Sequence, residues 1–140
     1  MTDVAQPVAA VLAGLKRVAT TPAISALVPG GVRNDLPPSP TYPAVRLWAR
    51  GKPVGPIAGA SVWDVNVEIW IYSTASGDAE ALAIAEAIDG ELKAHGLTLD
   101  GWAAVVVAWE DLFPAGDEDL NGVPLKAWVM AFTVRVDQVA

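Results

Sequence analysis

The chain has 140 residues, enough for one domain with a sizeable core, and 53% of them are hydrophobic against 18% charged. A formal net charge of -7, with nine scattered Lys and Arg residues, excludes the clustered basic footprint of specific nucleic-acid binding. Cysteine is absent, which excludes disulfides and thiolate metal sites.

The start, Met1-Thr2-Asp3, is acidic and lacks the basic opening of a signal peptide. No apolar run reaches the ~18 residues of a membrane span, and a cytosolic origin is compatible with both observations. A first helix is predicted over about Val4 to Ala19, where Val4, Val8, Val11, Leu12, Leu15 and Val18 fall on one stripe. Asp3 or Gln6 is its candidate cap, Pro7 suits its first position, and Thr20-Thr21-Pro22 ends it. A short apolar turn, Ala23 to Leu27, precedes the break at Pro29-Gly30-Gly31. From Val32 to Pro43 the chain is extended and rich in proline, which bars it from the middle of a sheet. A first strand is predicted over Ala44 to Arg50, with Val45, Leu47 and Ala49 on one face and Arg46, Trp48 and Arg50 on the other. Gly51 to Ala60 reads as a long Gly/Pro loop, a kind that is usually functional or mobile.

The best-specified segment follows. In Val62 to Tyr72, Trp63, Val65, Val67, Ile69 and Ile71 alternate with Asp64, Asn66, Glu68, Trp70 and Tyr72, which marks a strand with one face on the core. Through Ser73 to Gly77 it enters an amphipathic helix, Asp78 to His95. Its predicted buried stripe is Ala81, Leu82, Ala85, Ile88 and Leu92, with Ser76 or Asp78 as cap and Gly96 as the left-handed stop. Two more strands are predicted, Trp102 to Leu112, nearly continuously apolar, and Val123 to Val139. In the latter, Trp128, Met130, Phe132, Val134 and Val136 share a face. An acidic turn ending in Asn121-Gly122 joins them. The fold class is therefore α+β: a single-layer, mostly antiparallel sheet of about four strands with two main helices packed on it.

Little in this order carries chemistry. His95 is the single histidine and falls in the last turn of a helix, where it interacts with terminal carbonyls more often than it acts as a base. Asp117-Glu118-Asp119-Leu120-Asn121-Gly122 matches the start of a calcium loop, but the twelfth position, which must be a bidentate Glu, is Trp128, so a hairpin turn is the favoured reading. The carboxylates from Glu110 to Asp119 read as a solvated acidic turn rather than an acid-base pair. No cofactor and no metal are implied, and an enzyme is not expected. Low charge with high apolar content suits a subunit that hides surface against neighbours, although a general alanine and valine bias gives the same numbers. Trp48 and Trp70 on the outward strand faces mark either an interface or a face covered by a second layer such as helix one.

The stretches Asp35-Leu36-Pro37 with Tyr42-Pro43-Ala44-Val45, and Ile69-Trp70 with Gly77 and Glu80-Ala81, in this order of elements, resemble the tail terminator (tail completion, minor tail protein U-like) family of long-tailed phages and phage-like particles. The resemblance runs from about Val8 to Val136. Loop 51–60 matches no signature of that family, and Trp102 to Leu112 is more apolar than its pattern. The resemblance implies one tail-terminator-like domain over residues 1–140, placed in the virion at the neck of the tail and made in the host cytoplasm. It implies a homo-oligomeric ring, usually hexameric, that caps the head-proximal end of the tail tube, ends polymerisation and joins the head connector or stopper. Its implied partners are further copies of itself, the tail tube protein and the connector, with DNA passing through the lumen unbound and no membrane involved. Candidate residues for the subunit or tube interface are Trp48, Arg50, Lys52, Val54, Ile57, Glu68, Trp70 and Tyr72, with loop 51–60 projecting towards a neighbour. The alternatives are another neck adaptor (head completion or stopper) or a small-molecule binding module.

Overall fold

A computed structural model describes residues 6–55, 61–120 and 123–139, with backbone alone at 105, 117–120 and 123–124. In chain order the elements are α1 (Val8–Ala19), α2 (Pro22–Leu27), β1 (Val32–Arg33), β2 (Ala44–Pro53), β3 (Val62–Ser73), α3 (Ala79–His95), β4 (Trp102–Leu120) and β5 (Val123–Gln138). The strands form one sheet in the order β1-β2-β3-β5-β4. All pairs are antiparallel except β1 with β2. The sheet therefore has five strands rather than four. The extra one is a two-residue parallel pairing, Val32 with Val45 and Arg33 with Arg46, too short to leave a periodic signal.

Helix α1 buries Val11, Leu15 and Ala19. The Gln6 Oε1 accepts a 2.8 Å hydrogen bond from the Val8 N–H at its start, while the alternative cap, Asp3, lies outside the described residues. The apolar turn at Ala23 to Leu27 is in fact helix α2, which Pro22 opens from a first-turn position where its missing N–H costs nothing. The next bend depends on Gly30. Its N–H donates to the Pro43 carbonyl at 3.0 Å, and a Cβ there would lie 1.9 Å from the Thr41 carbonyl oxygen and 2.8 Å from the Ala44 Cβ.

Strand β3 occupies the middle of the sheet and alternates as its sequence requires, with Trp63, Val65, Val67, Ile69 and Ile71 buried and the intervening residues half-buried. With Val45 and Leu47 of β2, and Met130, Phe132, Val134 and Val136 of β5, these side chains make one core beneath the three helices. Strand β2 runs three residues past its predicted end, so Gly51 to Pro53 are ladder and not loop. Gly51 suits that place because a Cβ would meet the Val8 Cγ2 at 3.0 Å where α1 crosses. Residues 56–60 of the predicted loop lie outside the described residues.

Helix α3 buries Ala81, Ile84, Ala85, Ile88 and Leu92, so Ile84 takes the place predicted for Leu82, which sits on the flank. No side chain caps its N-terminus. The Asp78 carboxylate turns away to accept the Trp128 Nε1–H at 3.0 Å and to pair with the Lys126 Nζ at 3.7 Å. The buried Ser73 hydroxyl donates to Glu80 at 2.8 Å and accepts from the Ala75 N–H at 3.1 Å, which fixes the strand-to-helix junction. At the far end Gly96 takes a positive φ of 64°, and its N–H donates to the Leu92 carbonyl.

The largest departure from the sequence reading is β4. It is 19 residues long and carries the predicted acidic turn within it, paired with β5 from Asp117↔Lys126 to Leu120↔Val123. That register closes on either side of Asn121-Gly122, which lie outside the described residues, and leaves 117–120 in a ladder rather than a calcium-binding loop. Register shifts at Ala104/Val106, Trp109/Asp111 and Pro114/Gly116 mark bulges that bend the strand.

Across β3 and β5, Arg135 meets Asp64 with two hydrogen bonds of 2.8 and 2.9 Å. The bond to Arg135 holds the Asp64 carboxyl below its ordinary value of 3.8, against the opposing effect of partial burial. Because the folded-state value is depressed, this stabilisation is present in full above 3.8 and is lost as pH falls through the lower folded-state value. Asp64→Asn should therefore melt below the wild type at neutral pH, by a small margin as befits a solvent-facing pair. That gap should close in melts at pH values below the ordinary carboxylate range. Gly30→Ala should cost about 3 kcal/mol in urea unfolding, because the clash is with backbone that cannot rotate away.

Candidate assembly surface

The helices lie on one side of the sheet, and among the described residues no helix covers the other, although Leu125, Ala127 and Val129 of β5 are buried on that side too. Helix α1 contributes to the core with Val45 and Leu47 and therefore packs on the side opposite Trp48. The sheet brings six of the eight residues singled out from the sequence onto this bare face. Trp48 stands opposite Glu68, Arg50 opposite Asn66 and Lys52 opposite Asp64, with Trp70 and Tyr72 further along β3. Val54 follows β2 directly, its N–H donating to the Val62 carbonyl at 2.9 Å, and is exposed. Ile57 lies outside the described residues.

The members of this group are not equally available to a neighbour. Trp70 stacks on Tyr72 with ring centroids 6.2 Å apart, and its Nε1–H donates to the Glu68 Oε1 at 3.0 Å. The Arg46 guanidinium lies over the Trp70 indole, 5.4 Å from the ring centroid. These contacts leave Trp70 and Tyr72 half-buried within the subunit, whereas Trp48 is 40% exposed. Arg50 and Lys52 are exposed along the same margin. Further across, the Thr133 hydroxyl hydrogen-bonds to Asn66 at 2.9 Å and also to Glu110, so the polar layer extends from β3 to β4.

A second surface escaped the sequence reading. The nearly continuous apolar run at the start of β4 belongs to a strand at the margin of the sheet. Val106, Val107, Trp109 and Leu112 are 37–50% exposed. On the helix side, Trp109 tilts against Phe132 at 5.3 Å between ring centroids and overhangs an open cleft of about 420 Å³. Leu82, Ala85, Glu86 and Asp89 of α3 form its far wall. The core thus stops short of β4 and leaves an apolar shelf. A combination visible in the sequence could have revealed it: a both-faces apolar strand that comes last but one in a chain with too few helices to cover it.

Chemistry remains sparse across the described residues. His95 is exposed in the last turn of α3, 3.5 Å from Glu91. Among the described residues no group of three or more His, Asp or Glu side chains is arranged to hold a metal ion. No described helix is long and apolar enough to cross a membrane. What the geometry offers is surface: a polar and aromatic sheet face, and an apolar margin beside it.

A solved structure of the virion of a native gene transfer agent particle contains a similar chain, with a TM-score of 0.74 and 22% identity, over 95% of this chain and 99% of that one. At that identity the likeness shows the fold. No curated protein matches. The family model of tail completion protein gp17 matches residues 12–136, from the second turn of α1 almost to the end of β5. The chain therefore belongs to the tail completion protein gp17 family.

Proposed function

We propose that this chain is the subunit of a ring that caps the head-proximal end of a tail tube, ends its polymerisation and presents a surface to the head connector. As a tail completion protein it is a structural component of the virion tail. The observation that carries the finer reading is the unfinished margin at β4, where large apolar side chains stand exposed beside a cleft in a chain with few charges to cover it. A small monomer gains nothing from such a margin, whereas a subunit that is always flanked buries it. Closed rings are the usual outcome of self-association through unlike patches when the rotation closes, and a hexamer is the stoichiometry proposed. The net charge of -7 suits a conduit that lets DNA pass without adhering. The subunit works by contact and not by catalysis.

The direct test adds labelled chain to growing tubes of the tail tube protein that is encoded with it. Growth should stop, and electron microscopy should show label at one end of each tube. Label along the whole tube, or binding to the isolated head connector and not to tubes, would replace this reading with that of a tube component or a neck adaptor.

A further inference from the structure

We propose that neighbouring copies of this chain meet head to tail, with the outer margin of β4 in one copy against the β2 margin of the next. The inference rests on the ring reading above and adds to it the two surfaces that meet. A ring whose subunits all face the same way needs two different, complementary patches on opposite sides of each subunit. Strand order supplies the two sides. β4 closes one margin of the sheet, and at the other β1 pairs only with Val45 and Arg46, leaving β2 from Leu47 to Pro53 without a strand partner on its outer side among the described residues. The two margins run in opposite directions, as antiparallel pairing requires, and both present open backbone groups.

The apolar surface is divided between the same two margins. Apart from Leu27 on α2 and Val139 near the C-terminus, every large hydrophobic residue exposed among the described residues is on β4 or on β2 and its continuation at Val54. Trp48 at 40% exposure and Val106 at 50% point to the bare face from opposite edges.

Charge then selects the pairing. On the bare face β2 carries Arg46, Arg50 and Lys52, and β3 carries Asp64 and Glu68. Next come Arg135 of β5, with Asp137 at the strand end, and Glu110 and Asp111 of β4. The bulge at Trp109/Asp111 turns both acids to this face, since Glu110 accepts the Thr133 hydroxyl and Asp111 stands opposite Ala131. From β2 through β3 and β5 to β4 the prevailing sign thus alternates, with Asp137 the exception on β5, while Arg33 of β1 stands beside Arg46 and extends the positive edge. Among the described residues the outer edges meet no opposite charge on their far side, positive at β1 and β2 and negative at β4. Setting the β2 of a second copy beside β4 continues the alternation, whereas β4 against β4 or β2 against β2 would place like charges together.

Charge reversal tests this with side chains that are all exposed, so folding should be unaffected, and matching melting temperatures would show it. One variant carries Glu110→Lys and Asp111→Lys, the other Arg50→Glu and Lys52→Glu. Self-association, read by light scattering and by decoration of tube ends, should weaken by about 100-fold in each variant alone. Mixing the two variants, or combining all four changes in one chain, should restore it, because each reversed margin then meets its complement. Normal assembly of either variant alone would overturn the pairing, as would a failure of both the mixture and the combined chain to recover. If the wild type itself neither associates nor decorates tube ends, the ring reading fails and this inference falls with it.

Discussion

Burial of Trp63, Val65, Val67, Ile69 and Ile71 on one side of β3 commits Asp64, Asn66, Glu68, Trp70 and Tyr72 to the other. Because β3 is the middle strand and pairs along almost all of its length with both β2 and β5, that division sets the register of the sheet. It places Val45 and Leu47 on the core side of β2, and Met130, Phe132, Val134 and Val136 on the core side of β5. It also places Trp48, Arg50 and Lys52 on the bare side. A shift of one residue would exchange the core for the charged face, so the fold and the proposed assembly surface are two consequences of one alternation.

The helices cover the core side incompletely. Three helices of 12, 6 and 17 residues sit over a sheet that widens towards a 19-residue β4, and the cover ends at the flank of α3. Leu82, Trp109 and Leu112 face the resulting cleft. For an isolated domain this is an expensive arrangement, since water stays in contact with several large apolar side chains. For a subunit of an assembly it is economical, because the same side chains serve a neighbour. The charges on the sheet face without helices fit that view: Asp64 and Arg135 pair within the subunit, while among the described residues Arg50, Lys52, Glu110 and Asp111 at the two edges have no ion-pair partner.

Strong period-2 and period-3.6 patterns carried the reading of the sequence where they were uninterrupted. β3, β5 and α3 are where their patterns put them, and so are the opposed faces of β2. The family resemblance is borne out by the match over residues 12–136. What escaped were features set by context. The β1 pairing is two residues long among prolines. The α2 segment has one buried side chain, Ile24, too little for periodicity. Asp78 stands at a capping position but is drawn to Trp128 and Lys126, contacts made only once β5 is in place. The sequence showed β4 only as nearly continuously apolar, and composition reports what a strand tolerates and not whether its own chain supplies the cover. Six of the eight residues proposed for the interface converge on one face, yet the apolar half of the candidate surface, Val106, Trp109 and Leu112, was outside that set.

The most direct measurement is a reconstruction, by electron cryomicroscopy, of the head-proximal end of the tail with this chain in place. The account predicts a closed ring on the last turn of the tube, with β4 of each subunit against β2 of the next and Trp48 and Val106 buried at the seam. A chain absent from that end, or a ring in which both margins face solvent, would contradict it.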